Sequence, residues 1–407
     1  MPSRISQLSP TLKMLLAVGI LYLIMMGSTF SSLGVVLPHM IRSLKMNFGE
    51  AGFGFTLLAL AAGTSSLLPA MALKRWSGRT TLLAGVAAMV LAYLMMALCR
   101  TVPAYYAGAA MLGIGFSLIG AVPGLHVLSG WVGDNRALVF GAYLAMGGLG
   151  GAFWPAIVET AISVFGGWRG YWWFMAALMT LAGAVCLSIV RERAPLHDDE
   201  DSEDMKTSWT LSEALRTPQF YIIGSGIAAT YLIASTVNAF TVSYLTKIGV
   251  STAIAVIAFS IQSAGHSAFP LIMGGIARRV GVRALLVIGL LIQAVGMLAL
   301  AVGSSLPALV VFAIGVGGGY GTIFLATTLS LREYFGRVHY AHIFGANQLF
   351  TTVSVIGPFI VGAIADATGR FDISFGGCAV LLLIIAAMAA TLRPPQRRPI
   401  LAAAVSS

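Results

Sequence analysis

Two side chains stand out for chemistry: Gln262 and His266, four residues apart in an otherwise apolar run. Residues at i and i+4 share one face of a helix. The pair would therefore offer an amide and an imidazole to the same neighbour. Free imidazole titrates near neutral pH, so a buried histidine can carry a proton or bind a polar ligand. It can equally be a satisfied packing residue, and both readings stay open here. As a ligand it would make binding pH-dependent between about 5.5 and 7.5. Pro270 follows one turn later. It removes the N–H that would pair with the His266 carbonyl, so the helix is expected to bend or open there. His126 is the second intramembrane histidine candidate, read as an interfacial or packing residue. Every Asp and Glu falls in a loop, a charged tract or a helix end, with Glu159 nearest to an exception. Proton coupling, where it exists, would then rest on histidine, with Glu159 as the next suspect.

The elements that hold these residues are apolar helices. The chain has 407 residues, is 58% hydrophobic and only 9% charged. Soluble proteins carry roughly 25% charged residues, so this is a polytopic membrane protein. The first apolar segment is read as a retained helix, because Pro38, His39 and Arg42 follow it rather than a small-residue cleavage site. A bilayer span needs about 20 apolar residues. Breaking the chain at charges and Gly/Pro clusters gives twelve spans: 14–38, 50–72, 80–99, 104–129, 137–160, 169–190, 218–245, 252–276, 284–303, 307–331, 340–365 and 373–391. The poorest separation falls at Gly303–Pro307, between the ninth and tenth.

One tract divides the set. Arg191–Arg216 holds 12 of the chain's 38 charged residues and leaves 190 residues before it and 191 after it. Such a tract stays in water. The expected organisation is a six-helix bundle over 1–190, a charged linker over 191–217 and a second six-helix bundle over 218–407. The acidic part reads as a solvated spacer. Its end, Trp209–Leu215, reads as a short amphipathic helix capped by Ser208 or Thr210, with Trp209 and Leu215 turned to the membrane surface. The halves repeat each other at offsets of 202 to 204 residues: Gly113 with Gly315, Gly78 with Gly281, Gly141 with Gly345. Duplicated halves with a site at mid-depth are a transporter architecture.

The net charge of +10 fits basic loops on one membrane face better than nucleic acid. With both termini and the linker on the cytoplasmic side, 18 of the 24 Lys and Arg residues fall on that side, as the positive-inside rule requires. The protein is expected in a cell membrane, the inner one in a Gram-negative cell. Cys99, Cys186 and Cys378 lie in or beside apolar runs without metal spacing and read as packing residues. No metal site, cofactor or nucleophile constellation is expected, which speaks against an enzyme. Glycines cluster at Gly147–Gly151 and Gly315–Gly321, where backbones can approach closely in lipid, either as static packing or as surfaces that slide.

Twelve helices in two halves resemble the major facilitator superfamily. The loop after the second span carries Arg75, Gly78 and Arg79, similar to the superfamily's Gly-x-x-x-Asp-Arg/Lys-x-Gly-Arg/Lys signature. Its repeat carries Gly274, Arg278, Arg279, Gly281 and Arg283. The signature's Asp is Arg75 in one copy and Arg278 in the other, and its first Gly is Met71. The resemblance implies an alternating-access transporter whose latch at that loop lacks its carboxylate. Three patches resemble the branch of monocarboxylate porters and oxalate–formate-type antiporters: Ser31–Pro38, Thr210–Phe220, and Tyr334–Gly345 with Gly357–Gly369. Members of that branch often place a substrate Arg where this chain has Pro270, which removes a buried cation from the expected site.

In that fold the first, fourth, seventh and tenth helices line the cavity, helped by the second, fifth, eighth and eleventh. The resemblance therefore adds Tyr320, Gln348, Thr29, Ser32, Ser117 and Tyr231 to His266 and Gln262 as substrate-binding candidates, with Asn238 and Asn347 near the gates. The expected function is transport of a small organic solute, an organic anion or weak acid, by a monomer, with a proton as a possible co-substrate. The alternative is proton-linked efflux of amphipathic compounds. Reporter fusions after Ser202 and after Ser304 should report opposite membrane sides; the same side for both overturns the twelve-span topology.

Overall fold

The computed structural model describes residues 10–131, 136–191, 209–336 and 339–395. All regular structure among the described residues is helical. Among the described residues, eleven helices are long and apolar enough to cross a membrane. They are α1 (Pro10–Leu44), α3 (Gly78–Leu98), α4 (Val102–Ser129), α5 (Val139–Val164), α6 (Trp168–Ile189), α7 (Pro218–Lys247), α8 (Thr252–Ala277), α9 (Arg279–Val302), α10 (Leu306–Phe335), α11 (His342–Thr368) and α12 (Asp372–Ala389). The helix between the first two, α2 (Phe48–Thr64), is shorter and apolar, and continues through a tight turn at Ser65–Leu67 into Leu68–Arg75, so the described residues hold twelve apolar helical segments.

The seam between α8 and α9 is tighter than the sequence reading expected. The helical ladder runs from Thr252 to Val302 with one non-helical residue, Gly281 (φ 78°). A positive φ suits glycine, which has no Cβ to clash, so one residue turns the chain without a loop. The Gly303–Pro307 stretch, expected to be the poorest separation, is a clear break: Gly303 is extended and Pro307 sits in the first turn of α10.

Hydrogen bonds between helix ends sort the two faces. On one face Thr11 donates to the Trp131 carbonyl (2.9 Å), Trp131 Nε1 to the Arg191 carbonyl (2.9 Å) and Gln219 Nε2 to the Arg393 carbonyl (3.1 Å). These gather the start of α1, the ends of α4, α6 and α12, and the start of α7 on the tether side. On the far side Arg169 reaches Ser43 Oγ (3.3 Å) and the Cys99 carbonyl (2.9 Å), joining the ends of α1 and α3 to the start of α6.

Most of the acidic tether, 192–208, lies outside the described residues, as does Ser208. Its end forms one helical turn, Leu211–Ala214, capped by Thr210 in a reciprocal box with Glu213. Trp209 does not turn to the membrane surface. Its N–H donates to the Phe335 carbonyl (2.8 Å) and its ring stands edge-on to Phe335 at 5.8 Å. The tether is thereby docked onto the end of α10, while Leu215 remains exposed.

Helices α1–α6 meet α7–α12 mainly on the far side. Here α2 packs along the end of α11 and the second half of α1 along α7, while α5 crosses α8. Gly34 of α1 lies against the Asn238 carbonyl, and Gly52 of α2 against the Pro358 carbonyl; a Cβ at either position would overlap that oxygen. Thr56 of α2 adds a hydrogen bond to the Val355 carbonyl at 2.8 Å. The tether-side pieces Leu68–Arg75, Ala121–Ser129 and Tyr340–Gln348 pack within their own six helices. These contacts close α2 against α11 and α1 against α7 on the far side. Gly52→Val should hold the seal apart, since overpacking costs about 1–3 kcal/mol. Transport in proteoliposomes should fall about tenfold or more with membrane insertion intact; unchanged transport would show that this contact is not needed for closure.

Candidate functional site

The centre of the site is built where α8 and α10 touch backbone to backbone. Gly317 of α10 rests on the Gln262 carbonyl, and Gly265 of α8 rests on Gly317 and Gly318. A Cβ at Gly317 would overlap the Gln262 oxygen. Removing side chains at this seam brings the next ring of α10 onto the next ring of α8. The Tyr320 ring stacks on the His266 imidazole, with centroids 4.0 Å apart and planes 26° apart. Tyr231 of α7 lies against the other side of the cluster, 5.6 Å from Tyr320. His266, Tyr320 and Tyr231 are each half-buried, whereas Gln262 is fully buried.

The amide and the imidazole share one helix face, as their spacing requires. Gln262 Nε2 and His266 Nε2 are 2.6 Å apart. An amide nitrogen is a donor, so His266 Nε2 accepts and the ring is neutral with its proton on Nδ1. This assignment follows from the hydrogen-bond network, as tautomers generally do. The site thus presents an imidazole edge, tyrosine hydroxyls and aromatic faces.

The helix does not open at Pro270. Backbone dihedrals stay helical from Thr252 to the turn at Gly281. The carbonyl that Pro270 leaves without a helical donor, that of His266, faces Gly321 of α10. A Cβ built on Gly321 would lie 2.9 Å from that oxygen and 2.6 Å from the proline ring. The α10 backbone packs into the place where a broken helix was expected, and helix–helix contact holds α8 together.

The breaks lie elsewhere. Helix α1 carries a π-turn at Gly27–Ser31, α4 is interrupted at Gly120, and α11 at Leu349 and again at Ser354–Ile356. Such π-turns are frequent at functional positions. Here the surrounding polar groups are used inside α1–α6. Thr29 donates to the Met25 carbonyl (2.7 Å) and Ser32 to the Gly27 carbonyl (2.9 Å). Tyr171 of α6 donates to Ser32 Oγ (2.6 Å) and accepts from Trp154 of α5 (3.2 Å). Ser28 pairs with the Tyr93 hydroxyl. Ser117 donates to the Ala62 carbonyl (2.7 Å) and accepts from Ser65 (3.1 Å), tying α4 to the bend of α2.

The remaining candidates are dispersed. Gln348 lies at the α11 break, with Oε1 buried and without a hydrogen-bond partner. Asn347 is buried and donates to the Phe220 carbonyl at 3.3 Å. Asn238 is at the far-side seal through its carbonyl. Glu159, half-buried on α5, has Oε2 buried and without a partner. His126 is half-buried near the tether-side end of α4. The signature loops form tight turns: the Leu68–Arg75 helix that follows α2 ends at Arg75, Ser77 caps α3, Gly78 is its first residue and Arg79 is exposed. Gly274 and Arg279 lie on the matching side, with Gly281 at the turn; of Arg278 only its helical backbone is described.

Sequence reasoning missed Tyr22 and Tyr143. They stack at 4.6 Å across α1 and α5. An aromatic in a continuous apolar run carries no periodic signal that separates a cavity wall from a lipid face. Gly317→Val should lower the thermal unfolding midpoint of the purified protein by an amount equivalent to about 1–3 kcal/mol; an unchanged midpoint would remove close packing as the reason for the Tyr320 stack.

Comparison with known proteins bears on the fold and the family. The model of the Major Facilitator Superfamily matches residues 18–257 and 223–405. A bacterial homolog of the human lysosomal transporter Spinster, solved inward-facing and unoccupied, superposes with a TM-score of 0.80 at 16% identity. The match covers 94% of this chain and 96% of that one. The nucleoside transporter NupG superposes with a TM-score of 0.75 at 16% identity, covering 94% of this chain and 98% of that one. The protein described as uncharacterized transporter ESBP6, from Saccharomyces cerevisiae, is 32% identical over 152 residues. That alignment takes in 36% of this chain and 22% of the yeast protein.

Proposed function

The chain belongs to the Major Facilitator Superfamily, and on that premise we propose that it moves a small organic weak acid or organic anion by alternating access around His266. The two moving bodies in this reading are 1–190 and 218–407, joined by the tether 191–217. This reading places both termini and the tether in the cytoplasm, the side that takes 18 of the 24 Lys and Arg residues. The observation that carries the reading is the His266 imidazole, with Nε2 2.6 Å from Gln262 Nε2 and its ring stacked on Tyr320 at 4.0 Å.

Its Nδ1–H and the Tyr231 and Tyr320 hydroxyls suit a solute that arrives protonated or sheds its charge by hydrogen bonding. Burying a free charge in such a site would cost several kcal/mol without a partner. A planar acid presents one apolar face to the Tyr320–His266 stack and one polar edge to these donors. The aromatic rings of the site, Tyr231 and Tyr320, with the Tyr22–Tyr143 stack in the other six helices, favour a second reading, efflux of amphipathic compounds. Proton coupling would run through His266 or His126, with Glu159 as the remaining carboxylate.

A radiolabelled panel of organic acids and amphipathic compounds, taken up into proteoliposomes with and without a pH gradient, tests both readings. Organic-acid accumulation is expected, and exclusive transport of amphipathic compounds would select the second. With the transported solute, His266→Ala should raise KM about tenfold, the cost of one hydrogen bond of about 1.4 kcal/mol. An unchanged KM would reduce His266 to a packing residue and move the search to Tyr320 and Gln348.

A further inference from the structure

The first turn of a helix leaves N–H groups without intrahelical partners. At the far-side start of α2 each has a partner, from two sources. The Glu50 N–H is capped from within, by Asn47 Oδ1 at 2.7 Å, and Glu50 returns the bond to the Asn47 N–H at 2.9 Å. The Phe48 and Gly49 N–H groups are capped from the other six helices. Asp366, near the end of α11, accepts from Phe48 through Oδ1 at 2.9 Å and from Gly49 through Oδ2 at 2.6 Å. A carboxylate at a helix N-terminus is favoured by the positive end of the dipole and by charge-assisted hydrogen bonds.

The end of α7 completes the arrangement. Lys247 Nζ donates to the Gly369 carbonyl at 3.1 Å, just beyond Asp366. Its ammonium lies 5.3 Å from the Phe48 ring and 5.6 Å from the Phe371 ring, within cation–π range. Phe48 in turn stands edge-on to Phe371 at 4.9 Å. Gly362 lies against the Phe48 carbonyl, so α11 approaches closely enough for Asp366 to reach both N–H groups.

We infer that Asp366 is the latch of the far-side gate: its carboxylate serves as half of the α2 cap, and that half must be given up for the far side to open. The Asn47–Glu50 box travels with α2 and keeps the helix intact in either state. The Asp366 bonds span the two groups of helices and exist only while α2 and α11 touch. Opening leaves two bare N–H donors on α2 and a free carboxylate on α11, each then served by water. Losing Asp366 therefore biases the molecule toward the far-side-open state without removing anything α2 needs to fold.

The test uses the full chain in nanodiscs with a reporter thiol buried in the wall of the far-side cleft. Ser243 on α7 is buried, with a hydroxyl that has no hydrogen-bond partner, and lines a cleft of about 400 Å³ between the ends of α1 and α7. Labelling of Ser243→Cys by a water-soluble thiosulfonate reads opening, and the buried native Cys186 reads general loosening. Asp366→Asn keeps the shape but loses the charge and one acceptor, so Ser243→Cys should label about tenfold faster. Asp366→Glu should restore much of the protection. Lys247→Gln should accelerate labelling in the same direction and by less. Asn47→Ala, which removes only the internal cap, should lower thermal stability and leave labelling unchanged. The same labelling rate in Asp366→Asn as in the parent overturns the latch. So does a faster rate accompanied by faster labelling of Cys186.

Discussion

The structure depends on backbones that touch in the absence of side chains. In lipid there is no hydrophobic force between helices, because the tails are as apolar as leucine; close packing and hydrogen bonds must hold the bundle. Gly317 on the Gln262 carbonyl, Gly34 on the Asn238 carbonyl and Gly52 on the Pro358 carbonyl are the same device used for two purposes. The first sets the distance between α8 and α10 and hence the His266–Tyr320 stack. The others set the far-side seal. Dispersion falls off steeply with separation, so such contacts are either made or lost, and surfaces built from them favour discrete states over gradual ones.

A second constraint follows from the same medium. Polar groups inside the bilayer find partners within the protein, and the chain supplies them locally. The π-turn of α1 takes up its loosened backbone with Thr29 and Ser32, and Tyr171 and Trp154 extend the network across α5 and α6. Pro270 is accommodated by Gly321 from the neighbouring helix. Deviations from regular helix therefore mark where an outside partner is absent or has changed, and a proline does not by itself locate a break.

This explains which features were legible in the sequence. The twelve helices were, because hydropathy and charge report directly on burial in lipid. The pairing of Gln262 with His266 was, because it depends only on the helical period. The course of α8 through Pro270 was not, since the answer lies 51 residues away at Gly321. The single-residue turn at Gly281 was not, since only its positive φ separates it from a helical glycine. Thr29, Ser32 and Ser117 read as cavity residues because depth along a helix is visible in sequence and rotation about it is not. Tyr171 and Ala62 on neighbouring helices decide that rotation.

The placement of the site constrains how binding is linked to motion. His266, Gln262, Tyr231 and Tyr320 all belong to α7, α8 and α10, which pack together. On the proposed alternation they move as one body, and the stack survives the change of state. A solute held only by these residues would ride along without favouring either state, since a ligand shifts an equilibrium only through differential interaction. The bias must come from contacts made to the opposite body in one state and lost in the other. Tyr22, stacked on Tyr143, is the residue of that body to which the proposed alternation assigns them. On that proposal recognition resides on α7, α8 and α10, and coupling on α1.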